Sequence, residues 1–144
     1  MPALAYPVGS YVPYKGLNGS LLYTSGMIPV TDGKPIHTGK LGADVTLEQA
    51  QDCARLCVLN ALAWVENYSP SARIKGVDGV SQVIQVRGFV ACTADFYDHP
   101  KVLNAASDLL VDIFGDAGRH TRAAVGCISL PLNVPVEIDF LFAL

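Results

Sequence analysis

Only two stretches of this chain repeat their apolar residues at helical spacing, and the segments around them repeat at the spacing of strands. The first helix is predicted to open at Thr46. There T-L-E-Q sets Gln49 three residues after a threonine, the pattern in which the two side chains cap each other's backbone N–H groups. Ala50, Cys53, Ala54, Cys57, Ala61 and Trp64 then share one face, so that small residues let the helix sit close against a sheet. Asn67, Ser69 and Pro70 stop it. The second helix is expected near Asp98 as N-cap, with Pro100 in the first turn. Its apolar stripe is Val102, Leu103, Ala106, Leu109, Leu110, Ile113 and Phe114, and Gly115 ends it.

The remaining periodic text is strand-like. LLYTSGMIPV (21–30) reads as a strand ended by Pro29 and the TDGKP turn, and IHTGKLGADV after it as loop. SARIKGVDGV (71–80) is a second loop. QVIQVRGFVACT (82–93) alternates as a long strand, with Val83, Gln85, Arg87, Phe89 and Ala91 on one side. Two further strands, 121–130 and 134–143, are joined by LPLN. The order β-α-β-α-β-β predicts an α+β domain spanning residues 1–144, with two helices on one face of a mixed or antiparallel sheet. The other face is left bare, where subunits could pack. Composition agrees: 51% of residues are hydrophobic, only 16% are charged, and mean hydropathy is +0.34, more apolar surface than two helices can cover.

Net charge is −3, and ten basic residues are scattered among thirteen acidic ones, which argues against a nucleic-acid partner. No apolar run reaches membrane-spanning length. The opening MPALAYPVGSYVPYKG has no basic residue before Lys15 and is broken by prolines, unlike a secretory leader. Cys53, Cys57, Cys92 and Cys127 form no C-x-x-C pair; Cys53 and Cys57 read as buried thiols on one helix face, metal binding with a distant histidine being the lesser alternative. A reduced, cytoplasmic setting is expected.

Arg122 and Glu137 sit in otherwise apolar strands. Period two groups Arg122 with Ala124, Gly126 and Ile128, which leave room around its guanidinium fork, the group best matched to a carboxylate. Glu137 shares a strand face with Asp139 and could orient or deprotonate a water. Alternatively the two form a structural ion pair or lie at a solvated edge. His120, on the strand parity of Arg122, is either a site acid/base or anion ligand, or a hydrogen-bonded structural histidine. His37 and His99 read as a surface-loop and a first-turn residue, and Asp139 as a solvent-facing or capping carboxylate.

T-S-G-M-I-P-V (24–30) and H-T-R-A-A-V-G-C-I-S-L-P-L-N-V-P-V-E-I-D (120–139) resemble the signature of the YjgF/Rid family, the reactive intermediate deaminases. The resemblance is closest to the subgroup carrying GFV…DF and PKVxNxASDLL…FGxxGRHxR, here GFVACTADF and PKVLNAASDLLVDIFGDAGRHTR. It implies a chorismate-mutase-like fold assembled as a homotrimer, with clefts between subunits. It also implies hydrolysis of small enamine or imine carboxylic acids such as 2-aminoacrylate to a 2-oxo acid and ammonia, without metal or organic cofactor. In that reading Arg122 grips the substrate carboxylate, and Glu137 positions water. Ser25 and Tyr11 complete the catalytic set, Tyr14 competing for the tyrosine role. Gly26 and His120 are further substrate contacts. Two positions depart from the family pattern: Ala124 replaces the usual cysteine, and Met27 the usual glutamine. The alternative is a non-catalytic protein that senses a small carboxylate in the same cleft. The endoribonuclease label that the family also carries fits the acidic charge balance poorly.

Overall fold

The computed structural model describes residues 1–4, 6–7, 9–68 and 76–144. Ser69 and Pro70, expected to stop the first helix, and residues 71–75 of the following loop lie outside the described residues. The elements run β1 (Tyr14–Leu17), β2 (Leu21–Thr24), β3 (Val30–Thr31), β4 (Lys34–Pro35), α1 (Leu47–Asn67), β5 (Gln82–Ala91), α2 (His99–Phe114), β6 (Thr121–Cys127) and β7 (Val136–Ala143). Five strands form one sheet in the order β1-β2-β7-β5-β6, while β3 and β4 pair by themselves through an Asp32-Gly33 turn. This is the expected α+β arrangement, with an N-terminal strand that the sequence did not announce.

α1 begins where its capping box lies. Thr46 Oγ1 accepts from Gln49 N at 3.1 Å, and Gln49 Oε1 accepts from Thr46 N at 3.0 Å. Ala50, Cys53, Ala54, Cys57 and Ala61 are fully buried, and these small side chains let the helix lie close over β7. In α2, Asp98 stands at the N-cap but makes no capping hydrogen bond; its carboxylate pairs with Lys101 at 3.2 Å instead. Gly115, at φ +60, ends the helix. The buried stripe is narrower than the periodicity implies, because Ile113 is exposed.

The sheet has two unlike faces. Leu22, Val83, Val86, Val90, Val136, Ile138, Phe140 and Phe142 point at the helices, each no more than 2% exposed. Side chains of this size contribute about 1.5–3 kcal/mol apiece on burial. On the opposite face Leu17, Tyr23 and Val125 are each about half exposed (51%, 48% and 46%), with Phe89 and Leu141 between them. Across its middle Arg87 donates from Nε and Nη2 to both oxygens of Asp139 at 2.9 Å. Asp139 is therefore an ion-pair partner rather than a free or capping carboxylate.

Two expectations about the strands are corrected, and the pairing of the last two strands is fixed. LLYTSGMIPV is not one strand: β2 stops at Thr24, and Met27 makes an isolated bridge to Ile138. Val83 does not share a face with Gln85, Arg87 and Phe89. The register passes from Val83↔Phe142 to Gln85↔Leu141, two residues against one, so a bulge at Ile84 turns Val83 toward the helices. Finally, β6 and β7 are consecutive but not neighbours. β6 pairs in parallel with β5 and β7 lies antiparallel between β5 and β2, since a parallel partner for β5 must be reached through a crossover, here α2.

Replacing Thr46 with alanine should cost about 1 kcal/mol of stability in urea denaturation, whereas Thr46→Ser should be nearly neutral. Equal losses in both variants would mean that the cap is not what the threonine supplies.

Candidate functional site

The site residues fall into two groups on different parts of the sheet. The first is built by an irregularity at the end of β2. Tyr23 lies opposite Leu141 and Met27 opposite Ile138, so four steps along one strand match three along β7. The extra residue raises Ser25-Gly26 out of the ladder beside Glu137, the kind of bulge that re-aims groups near functional sites. Hydrogen bonds seal both ends. Met27 N donates to Ile138 O at 2.8 Å, Ile138 N donates back to Met27 O at 3.0 Å, and Phe140 N donates to Thr24 Oγ1 at 3.0 Å. A Cβ on Gly26 would collide with Glu137 Oε1, so only glycine lets the carboxyl approach the backbone.

Ser25 Oγ donates to Val12 O at 2.6 Å, and Ser25 N to Pro13 O at 2.8 Å. The serine thus ties down the N-terminal segment, leaving its oxygen lone pairs for a ligand. Tyr11 lies with Ser25 and Gly26 along a cavity of about 240 Å³. Tyr14 is engaged elsewhere, its ring 5.9 Å from Trp64 and 5.6 Å from Tyr68. Glu137 is half-buried and faces away from the helices, in register with Phe89. Burial, and secondarily the charge of Asp139, push its carboxyl pKa above the ordinary value.

The second group surrounds Arg122 on the edge strand β6. Its register partner is Val86, which places the side chain on the helix face. There Nη1 donates to Asn104 Oδ1 and to Ser107 Oγ, both at 3.0 Å. His120 Nδ1 lies 2.6 Å from the Gly118 carbonyl, which can only accept, so Nδ1 carries the proton. Burial, with Arg122 adding to it, lowers the His120 pKa and favours the neutral ring, whose Nε2 accepts from Ser107 Oγ at 2.9 Å. A single line of hydrogen bonds therefore runs from the Gly118 carbonyl through His120 and Ser107 to Arg122. Among the described residues nothing holds the Nε or Nη2 edge of that guanidinium. Asn104 and Ser107 escaped the sequence reading, although their i, i+3 spacing puts two polar groups on one side of α2.

Arg122 and Glu137 do not meet within one chain. Val86, beside Arg122, is buried under the helices, whereas Glu137 aligns with Phe89 on the opposite face. A structural ion pair between them within one chain is thus excluded. Of the two departures, Met27 is core and Ala124 packs at the core's edge on the Arg122 side. The cysteines are all free thiols; burial pushes Cys53 up to about 12 and Cys57 well above the ordinary value. His99 is more than a first-turn surface residue: its Nε2 lies 3.3 Å from Cys92 Sγ. Among the described residues, no group of three His, Cys, Asp or Glu side chains could hold a metal, and no helix is long and apolar enough to cross a membrane.

A mixed five-stranded sheet covered on one face by two helices places the chain in the α+β class, with an arginine edge and a glycine-backed carboxyl on opposite faces. The family described as "YjgF/chorismate_mutase-like, putative endoribonuclease" matches residues 1–144, and the chain belongs to it. Protein TCP17 of Trypanosoma cruzi is 37% identical over 145 residues, covering 100% of this chain and 87% of its own. The crystal structure of Atu1372 from Agrobacterium tumefaciens, a protein of unknown function, superposes with a TM-score of 0.85 at 40% identity, over 98% of this chain and 85% of that one. Escherichia coli TdcF, solved with bound serine, shares the fold at a TM-score of 0.67 and 23% identity, over 98% and 91% of the two chains.

The raised Glu137 pKa has a testable sign. The folded state favours the protonated carboxyl, so this group's stabilising contribution is present at low pH and is lost as pH rises through the raised pKa. The melting temperature of the wild type should therefore fall relative to Glu137→Gln as pH increases from acid to neutral. A constant difference across that range would show that the carboxyl titrates as in the unfolded chain.

Proposed function

We propose that this protein hydrolyses small reactive enamine or imine carboxylic acids to 2-oxo acids and ammonia, at sites formed between the subunits of a homotrimer in the cytoplasm. The observation that carries the reading is the Arg122 guanidinium, with Nη1 pinned by Asn104 and Ser107 and no partner on its Nε/Nη2 edge among the described residues. A planar fork held in one orientation is suited to bidentate capture of a carboxylate. Serine in the related TdcF is a ligand of that class.

The opposite facing of Arg122 and Glu137 supports a shared site: one subunit offers the arginine, and its neighbour the Glu137–Gly26–Ser25 group with Tyr11. The half-exposed apolar face that includes Tyr23 and Val125 supplies surface for such packing. The chemistry asks little more of the protein. An enamine acid takes a proton at its β-carbon to become the imine. Water adds to the imine carbon, and the carbinolamine expels ammonia to leave the 2-oxo acid. A carboxyl with a raised pKa can give the first proton and, once ionised, accept one from the attacking water. Gly26 keeps that carboxyl close to the backbone, and the Ser25 lone pairs can help hold the water.

Ammonia release from enzymatically generated 2-aminoacrylate should be accelerated by the wild type, lost in Arg122→Ala and largely lost in Glu137→Gln. Ser107→Ala should raise KM several-fold with a smaller effect on kcat, because it loosens the arginine without removing it. Refolding the two inactive variants together should restore roughly a quarter of the wild-type activity, since random mixing rebuilds that share of intact two-subunit sites. No recovery from mixed trimers would place both residues in one subunit's site. No acceleration by the wild type, with a 2-oxo acid still bound through Arg122, would favour the non-catalytic carboxylate sensor.

A further inference from the structure

A different pair of reactive side chains meets at the far end of β6. Gly126 stands on the strand face of Arg122, roughly 13 Å further along at the usual strand rise, and beside it lie Cys92 and His99. Cys92 directly follows β5, and His99 is the first residue of α2. Cys92 Sγ and His99 Nε2 are 3.3 Å apart, within reach for an imidazole to take a thiol's proton. Gly126 makes the meeting possible. A Cβ there would lie 2.9 Å from Sγ and 2.6 Å from Nε2, so any side chain would force the two apart. The Phe96 ring packs edge-on against the imidazole, with centroids 5.4 Å apart, and holds its orientation.

The pair opens into a cavity of about 660 Å³, the size of a small-molecule site. Lys40, Tyr97, Cys127 and Ile128 are among its other walls, and neither Arg122 nor Glu137 lines it. Tyr97 and Ile128 are 79% and 80% exposed, apolar surface that the core does not use. Lys40 supplies a positive charge and forms no ion pair among the described residues. Burial raises the Cys92 pKa above its ordinary value, against a hydrogen bond from the backbone of Cys127 and the charge of Lys40. The resting group is therefore the thiol, and reaction requires a base at the moment of attack, the place His99 occupies. Two chemistries suit such a pair: acyl transfer, and addition to an activated carbon–carbon double bond. Acyl transfer needs N–H groups beside the nucleophile to hold the oxyanion. The N–H of Cys92 donates to Cys127 O at 3.2 Å and that of Thr93 to Leu41 O at 2.9 Å, so both are taken. Conjugate addition develops its charge on an oxygen several bonds from sulfur, where water in the open cavity can solvate it.

We propose that Cys92 and His99 form a second reactive site, separate from the Arg122 and Glu137 groups, which captures small α,β-unsaturated carbonyl compounds bearing an anionic group. His99 Nε2, with the ring proton on Nδ1, takes the proton of the Cys92 thiol as sulfur bonds to the β-carbon of the double bond. The π electrons pass to the carbonyl oxygen as an enolate, and the α-carbon then takes the proton back from His99. The net change is addition of S–H across the double bond, with nothing oxidised and nothing released. Lys40 draws the anionic group into the cavity. None of this depends on the deaminase reading.

The experiment treats the full-length protein with N-ethylmaleimide and with the anionic 4-maleimidobutyrate, and reads the labelled cysteine by peptide mass spectrometry. Cys92 should react roughly tenfold or more faster than Cys127 in the same cavity, while the buried Cys53 and Cys57 stay unlabelled in the folded protein. His99→Gln should remove most of that advantage at an unchanged melting temperature, and Gly126→Ala should remove it by parting the pair. Lys40→Ala should abolish the preference for the anionic reagent and leave the rate with the neutral one nearly as it was. Cys92→Ser should release ammonia from 2-aminoacrylate at the wild-type rate, whatever that rate is. Labelling of Cys127 as fast as Cys92, or a Cys92 rate that survives His99→Gln, would overturn the site and leave the deaminase reading untouched. Loss of ammonia release in Cys92→Ser would overturn the separation of the two sites.

Discussion

The pairing of β7 on both of its edges is the constraint from which the rest of the molecule follows. Hydrogen-bonded to β2 on one side and β5 on the other, the strand has no freedom to slip, because a shift of one residue would exchange its two faces. Val136, Ile138, Phe140 and Phe142 are thereby committed to the helices, and Glu137 and Asp139 to the other side. The polar pair diverges from there. Asp139 meets Arg87 and is neutralised, whereas Glu137 meets a glycine and keeps a carboxyl whose ionisation is discouraged by its surroundings. Two acids on one strand face thus come to differ through their partners alone, one held in an ion pair and the other with its charge discouraged.

What could be read from the sequence was whatever depends on near neighbours along the chain. The capping box at Thr46, the stop at Gly115 and the stripe of α2 are local devices, and each is where the spacing put it, apart from the exposed Ile113. What could not be read depends on partners brought from far away. The bulges at Ile84 and Ser25-Gly26 exist because two strands of unequal step are locked to β7, and single-strand periodicity is blind to that mismatch. The same holds for Arg122. Its residue type suggested a carboxylate ligand, but the groups that orient it come from α2, fifteen and eighteen residues upstream. His120 is hydrogen-bonded to the Gly118 carbonyl and to Ser107, in line with the arginine, a set of partners that neither spacing nor residue type could reveal.

The family scaffold is retained here with its own set of side chains. Ala124, where the family resemblance leads to the expectation of a cysteine, packs at the edge of the core; Ser107, itself bonded to the neutral histidine, holds the guanidinium. Fold membership fixes where a ligand can sit, and the side chains set what it can be.

The position of β7 also has a consequence for how the molecule comes into being. The middle strand of the sheet is the last element of the chain, and its partners β2 and β5 end more than one hundred and about fifty residues earlier, respectively. During synthesis the β1–β2 hairpin emerges with one edge unsatisfied and must wait for residues 136–143 before that edge is covered. α1 can form early, since its cap and turns are local, but its small-residue face has no sheet to rest on until the same moment. Folding is therefore gated by the arrival of the C-terminal strand, and a nascent or shortened chain presents an open β edge to holdase chaperones or to other unfinished copies of itself.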